Sequence, residues 1–212
     1  MSSKFYTGVG SRTAPDWAIL IMFRIGIAMA QLGYTGRSGD AIHSDRAYKM
    51  GSRRVPGSRF VDYLSDRKYL RNCPDGIVYT DLPKWQTANE IAKRIHPRPY
   101  KLNAWSLAMH GRNINQCLGS ELNEPSRVLF ACATSTGVAD RVSGGTNTAW
   151  GCAKQFNIAR FNIMDPADRA KIEAWLAGER GLTFLLPKLS EPITETFNSS
   201  EYDYIIGRVN AR

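Results

Sequence analysis

Phe5-Tyr6-Thr7-Gly8-Val9-Gly10-Ser11-Arg12-Thr13-Ala14-Pro15-Asp16 is the stretch on which the fold turns. Phe5 to Val9 is a short apolar run of β-favouring residues, and Gly10-Ser11-Arg12 turns the chain. Thr13, with Asp16 three residues on, offers a capped helix start, and Pro15 takes an early helical position where its missing N–H costs little. Beyond it Trp17, Leu20, Ile21, Arg24, Ile25, Ala28 and Leu32 recur at helical spacing on a largely apolar face, which predicts a helix ending before Gly33. Strand, glycine turn and helix in that order open an α/β sheet.

The alternation continues outward. Tyr34 to Arg37 reads as a short strand running into Ser38-Gly39-Asp40, and Ala41 to Met50 can form a helix. The rhythm then fails: Gly51-Ser52-Arg53-Arg54-Val55-Pro56-Gly57-Ser58-Arg59 is turn-rich and basic, and marks an insertion or flexible loop near 51–71. Ile77 to Thr80 reads as a buried strand. Gln86 to Ile95 reads as a helix stopped by His96-Pro97-Arg98-Pro99, and Leu102 to Leu118 as another, with Trp105, Leu107, Ala108, Ile114 and Leu118 available for packing. Arg127 to Ala133 is the clearest strand, because a continuous apolar run suits a sheet covered on both faces. A helix over Thr146 to Phe156, a strand through Ile158, Phe161 and Ile163, and a helix opened by Asp165-Pro166 toward Trp175 complete the pattern. The expectation is a Rossmann-like three-layer α/β sandwich with a mostly parallel sheet over residues 1–178. Residues 179–212 are expected to form a peripheral C-terminal arm, in which Leu182 to Leu186 can add a strand.

At 212 residues, 43% of them hydrophobic, the chain can bury a sizeable core and needs no disulfide staple. Cys73, Cys117, Cys132 and Cys152 are too widely spaced for a zinc knuckle or a redox pair and read as free thiols in a reducing compartment. Met1 to Gly10 lacks a continuous apolar run, and the most apolar stretch, Ala18 to Leu32, is short and carries Arg24 and Gln31. A cytoplasmic protein with neither secretory signal nor membrane partner is therefore expected. The net charge of +9 is concentrated: Ala41 to Arg71 and Lys84 to Arg112 carry +5 each. Such windows focus positive potential toward the phosphates of a nucleotide or polynucleotide, a solvated basic face being the alternative.

Three glycine-bearing turns fall at the predicted strand-to-helix junctions: Gly10-Ser11-Arg12, Ser38-Gly39-Asp40 and Ser143-Gly144-Gly145-Thr146-Asn147-Thr148. In an open α/β sheet these junctions gather at the carboxyl edge, so one joint pocket is expected. Gly144 and Gly145 allow close backbone approach, the first amides of the next helix can bind an anion, and Thr146, Asn147 and Thr148 offer polar side chains beside it. A tight structural turn is the alternative. Arg12 and Arg37 sit near strand ends and can give paired donors to a phosphate or serve in structural ion pairs. Asp40 can cap a helix, whereas Asp45 can accept a ribose hydroxyl or act in acid–base chemistry. In His110-Gly111-Arg112-Asn113-Ile114-Asn115-Gln116, Arg112 and Asn113 can face a ligand while Ile114 faces the core. Glu121, just beyond Gly119, can leave its carboxylate at the sheet edge, where it would stabilise the positive charge that develops as an N-glycosidic bond breaks; simple solvation is the alternative. No G-x-x-x-x-G-K-[ST] or G-x-G-x-x-G sequence occurs, and His43, His96 and His110 have no H-E-x-x-H context, so neither cofactor nor metal is expected.

The ordered set Thr7-Gly8-Val9-Gly10-Ser11-Arg12, Ser38-Gly39-Asp40-Ala41 with Asp45, Arg112-Asn113 through Gln116, Gly144-Gly145-Thr146 and Arg160-Phe161-Asn162-Ile163 resembles the DprA/LOG-like (SLOG) nucleotide-binding superfamily. That superfamily includes DNA-processing protein A and the cytokinin-activating phosphoribohydrolases, and the chain is most similar to its small phage-borne members, which would place it in a host cytoplasm. The resemblance spans about Phe5 to Met164 and implies a Rossmann-like sheet with a nucleotide or nucleic-acid phosphate near the glycine loops. Two departures stand out. Asp40 lies where many similar sequences carry a small residue, and the phosphoribohydrolase pattern P-G-G-x-G-T-x-x-E meets Ser143 to Gly151, so that its catalytic glutamate falls on Gly151. Asp45 and Glu121 are left as the carboxylates to test.

Two functions fit. In the first, the chain is a nucleotide-processing enzyme hydrolysing the N-glycosidic bond of a nucleoside monophosphate: the third loop and Arg12 hold the phosphate, Asp45 orients the ribose or activates water, and Glu121 stabilises charge on the sugar. In the second, it cleaves nothing and is a nucleotide sensor or a single-stranded nucleic-acid-binding protein. The two basic windows, with Tyr48, Phe60, Tyr63, Tyr69 and Trp85 in or beside them, support that alternative. A homo-oligomeric state is left open.

Overall fold

The computed structural model describes residues 4–207. The elements are β1 (Phe5–Gly10), α1 (Asp16–Gln31), β2 (Thr35–Ser38), α2 (Ser44–Arg53), β3 (Phe60–Leu64), β4 (Ile77–Val78), α3 (Trp85–Ile95), α4 (Ala104–Leu118), β5 (Val128–Cys132), α5 (Thr146–Gln155), β6 (Ala159–Asn162), α6 (Pro166–Leu176) and α7 (Ser199–Ile206). The six strands form one parallel sheet in the order β4-β3-β2-β1-β5-β6. Helices cover both faces, which makes this a Rossmann-like three-layer α/β sandwich.

β5 shows how sequence becomes layers. All five of its residues are buried, and their alternation divides them between two cores. Val128, Phe130 and Cys132 join α1, α2 and α6, whereas Leu129 and Ala131 join α3, α4 and α5. Right-handed crossovers account for the division: the chain winds one way from β1 through β3 and the other way from β5 to β6, so the connecting helices fall on opposite faces.

Four expectations are corrected. Thr13 does not cap α1; Pro15 holds the N-cap position, and Thr13 is tied instead to the Ser11 hydroxyl, which accepts from the Thr13 N–H at 3.1 Å. The basic window near 51–71 is not an insertion throughout. α2 runs on to Arg53, because Gly51 lies against the Phe23 carbonyl of α1 where a Cβ would collide. Within the same window Phe60–Leu64 is an interior strand between β2 and β4. Asp62 interrupts its apolar run, and Lys49 neutralises that charge at 2.7 Å.

Residues 182–186 make only an isolated bridge between Thr183 and Leu186. The arm itself is packed rather than peripheral: Leu186, Leu189, Ile193 and Ile205 are buried with the α1 and α6 core, and the Trp175 indole donates to the Pro187 carbonyl at 3.0 Å. α7 begins with a capping box between Asn198 and Glu201. Residues 1–3, and 208–212 at the end of the arm, lie outside the described residues. Among the described residues no helix is long and apolar enough to cross a membrane.

Candidate functional site

The sheet order changes direction between β1 and β5, and there the loops leaving the two strands diverge. The Ser11 N–H still donates to the Cys132 carbonyl at 2.8 Å, after which the chains separate. A cavity of about 390 Å³ opens between them, lined by Gly10, Ser11 and Arg12, by Asp45, by Gly144, Gly145 and Thr146, and by the Trp105, Met109, Arg112, Asn113 and Gln116 side of α4. A second cavity of about 210 Å³ adjoins it beyond β2 and β3, sharing Arg12, Ala41, Met109 and Arg112 and lined also by Gly39 and Asp40. The three glycine turns thus meet around one two-chambered cleft at the topological switch point.

Arg12 stands exposed on this cleft, and no carboxylate among the described residues pairs with it. Arg112 is buried: its Nη1 lies 3.7 Å from Asp45 Oδ2 and donates to the Tyr63 carbonyl at 3.4 Å, while its Nε has no partner among the described residues. Burial lowers the Arg112 pKa, Asp45 opposes that shift, and Arg12 adds to it. The guanidinium rests directly against Gly39, in the space a Cβ would occupy. Gln116 is fully buried on the same wall, and both polar atoms of its amide are without partners among the described residues. Such groups are costly to leave unpaired. Asn113 donates to the Gly145 carbonyl at 2.9 Å and so fixes the third loop to α4. Gly145, at the N-cap of α5, places no side chain over the helix start, leaving the positive end of the helix dipole on the cavity wall.

Asp45 lies in the first turn of α2, and its Oδ2 accepts from the Gly39 N–H at 3.1 Å and the Ala41 N–H at 3.2 Å. Burial pushes its pKa up to about 6, against the pull of Arg112 and of the Ala41 amide. It closes the second glycine turn as well as lining the first cavity. His110 also lines that cavity; its Nδ1 is 2.6 Å from the Thr148 hydroxyl, and its ring meets His96 edge-on at 4.8 Å. Burial, helped by His96 and Arg112, lowers the His110 pKa to about 4, so the imidazole is neutral at pH 7.

Several expected site residues lie elsewhere. Glu121 is exposed and 3.8 Å from Lys84. Its displacement follows from the topology, because α4 runs antiparallel to the strands and delivers its C-terminal end to the amino edge of the sheet, opposite the cleft. Arg37 is buried against the Phe5 ring, and its guanidinium donates to the Glu124 carbonyl at 2.6 Å, which makes it the structural residue of the two arginine alternatives. The Ser38 hydroxyl donates to the Gly8 carbonyl and Thr148 is turned to His110, and neither lines the two chambers of this cleft. Asn147 accepts from the Val142 N–H at 3.3 Å and stiffens the third loop from behind.

Asp40 is an ion-pair centre rather than a helix cap. It holds Lys49 at 3.1 Å and Arg46 at 3.4 Å. Asp40, Asp62 and Cys73 could by geometry surround a cation, but the Lys49 ammonium fills that place, 2.7 Å from Asp62 and 3.3 Å from the Cys73 sulfur. Burial works against the Lys49 charge, yet Asp62 and Asp40 outweigh it and raise the pKa.

Sequence reasoning missed Trp105, Met109 and Gln116 as cavity residues. Positions 105, 109, 112 and 116 share one helical stripe, a signal that was present. Trp105, expected to pack against the core, is 54% exposed on the cavity. Comparison of the chain with protein families, curated proteins and solved structures gives no match.

Proposed function

We propose that the protein binds a nucleotide in the switch-point cleft and acts through that binding. The phosphate would sit between the start of α5 and the Arg12 and Arg112 guanidiniums, and the base would lie on the exposed Trp105 ring, which offers a stacking face on the same cavity. The observation that carries this reading is the convergence on one cavity of two glycine turns, an uncapped helix start and an arginine that no carboxylate among the described residues pairs with, the third glycine turn lying on the chamber that adjoins it. The unpartnered Gln116 amide on its wall adds a recognition group that the protein itself does not use.

Binding accounts for the geometry better than bond cleavage does. Asp45 is the single carboxylate on the larger cavity among the described residues, and one of its oxygens is already engaged by two backbone amides. Hydrolysis of the base–sugar bond is the second reading, favoured by the pKa of about 6 that Asp45 carries beside the cavity. Without Glu121 in reach, Asp45 alone would have to serve both the water and the sugar.

Calorimetric titration with ribo- and deoxyribonucleoside monophosphates, each beside its parent nucleoside, tests the reading. The expected result is binding of at least one monophosphate and at least about tenfold weaker binding of its nucleoside, the worth of one lost charge-assisted contact. Equal affinity for both, or binding of neither, removes the proposal. Salt-steep binding of an oligodeoxynucleotide without mononucleotide binding would assign the cleft to a polynucleotide. Chromatography of the same mixtures for free base decides the hydrolytic reading.

A further inference from the structure

A mononucleotide in the larger cavity leaves the smaller one without a role. We infer that the ligand has two arms, a nucleotide joined through a diphosphate to a second sugar, with the diphosphate crossing the wall between the cavities and the second sugar lying in the smaller one. The inference rests on the nucleotide reading above and extends it.

The dividing wall carries the charge that such a bridge requires. Arg12 and Arg112 both belong to the two cavities at once, and among the described residues only Arg112 has a carboxylate within ion-pair distance. Two neighbouring cations with one counter-charge repel each other, and a bridging dianion offsets both, each phosphate facing one guanidinium. The Gln116 amide, fully buried and unpartnered, lies behind Gly39 on the same divide.

The two chambers differ in the way the two arms differ. The larger carries the exposed indole of Trp105, a flat face suited to a base. The smaller is lined by Tyr69 and Asn72, whose side chains make no hydrogen bond among the described residues, together with Ser65, Asp40 and its partner Arg46. Donors and acceptors distributed over a small chamber match the hydroxyls of a sugar better than the edge and faces of a second base.

The test uses the full chain and three probes, AMP, ADP and adenosine diphosphate ribose, by calorimetry, with the guanosine and uridine monophosphates, diphosphates and diphosphate sugars run in parallel so that base preference does not decide the outcome. The expected order is monophosphate, diphosphate, diphosphate sugar, with at least about a tenfold gain at the last step. Asn72→Trp, which fills the smaller cavity from an exposed position, should abolish that last gain and leave the diphosphate sugar no better than the diphosphate. Tyr69→Ala, which removes a hydroxyl and a wall, should reduce the same gain and serves if the tryptophan variant fails to fold. Monophosphate binding with no gain from the second sugar overturns the inference and leaves the nucleotide reading intact. A gain that survives both variants also overturns it, because the second arm then lies elsewhere. Absence of binding by every probe removes the nucleotide reading and the inference with it.

Discussion

Asp45→Asn separates the structural work of this carboxylate from its charge. The carboxyl titrates near pH 6 when folded against an ordinary value of 3.8, chiefly because burial disfavours the ionised form. That difference corresponds to about 3 kcal/mol between the two protonation states. The folded state therefore binds this proton more tightly than the unfolded state, and ionised Asp45 destabilises the fold. The contribution is fully present below pH 3.8 and is lost as pH rises through about 6. Asparagine retains an oxygen that can accept from the Gly39 and Ala41 amides but has no proton to lose. It leaves Arg112 without its counter-charge, a cost that does not vary between pH 4 and pH 7 because the guanidinium stays charged. His110, whose depressed pKa acts in the opposite direction over the same range, is present in both proteins and cancels. Urea unfolding of both proteins at pH 4 and pH 7 should show the variant gaining about 2 kcal/mol relative to wild type over that interval, less than the full difference because the unfolded carboxyl is already partly ionised at pH 4. In thermal melts the same shift is about 4 to 8 °C for a chain of this size. Parallel stability profiles across the interval would refute the buried, reluctantly ionised carboxylate.

Gly39→Ala places a methyl group in the space of the Arg112 guanidinium, breaks its approach to Asp45 and should cost about 3 kcal/mol or more in chemical denaturation, with loss of nucleotide binding; a variant as stable as wild type would contradict the close approach. Arg12→Ala should leave stability within about 0.5 kcal/mol, since the side chain is exposed and unpaired, and weaken nucleotide binding by about tenfold or more. Glu121→Gln should change neither stability by more than about 0.5 kcal/mol nor any nucleotide turnover, and a loss of turnover would restore it to the site. Leu189→Ala should cost about 2 to 5 kcal/mol in the same unfolding assay, because the side chain is buried against the α1 and α6 core; a cost near zero would return the arm to the periphery.

How far the chain could be read depended on which interactions were local. Helix α3 begins within one residue of its predicted start and ends where predicted, and α6 starts at the Asp165 cap, whose side chain accepts from the Ala167 and Asp168 amides. Such signals are short-range and survive without tertiary context. β3 escaped because its apolar character is broken by Asp62, and the charge is acceptable only because Lys49, thirteen positions back on α2, reaches it. The arm escaped for a related reason: Leu189 and Ile193 are isolated apolar residues, Leu186 ends a run that reads as a strand, and the burial of all three depends on a core already built by other elements.

The site divides the same way. Of the two candidate carboxylates, one lines the cleft and the other lies at the opposite edge of the sheet, although Glu121 is close in sequence to Gln116, which does line it. Of the two candidate arginines, Arg12 reaches the cleft from a loop, whereas Arg37 points from within a strand toward Glu124. Nothing in the identity of either residue distinguishes these outcomes.

The sequence by itself determined the parallel α/β class, the order of its main elements and the gathering of three glycine turns at one edge. Periodicity, capping and turn chemistry act over a few residues and are written into any short window. Tertiary structure alone decided which polar side chains face the cleft and which are spent on internal pairs, and it alone revealed two chambers with a shared arginine wall. Those outcomes depend on the direction in which each helix returns across the sheet and on charges that meet from distant parts of the chain, quantities that no single stretch of sequence contains.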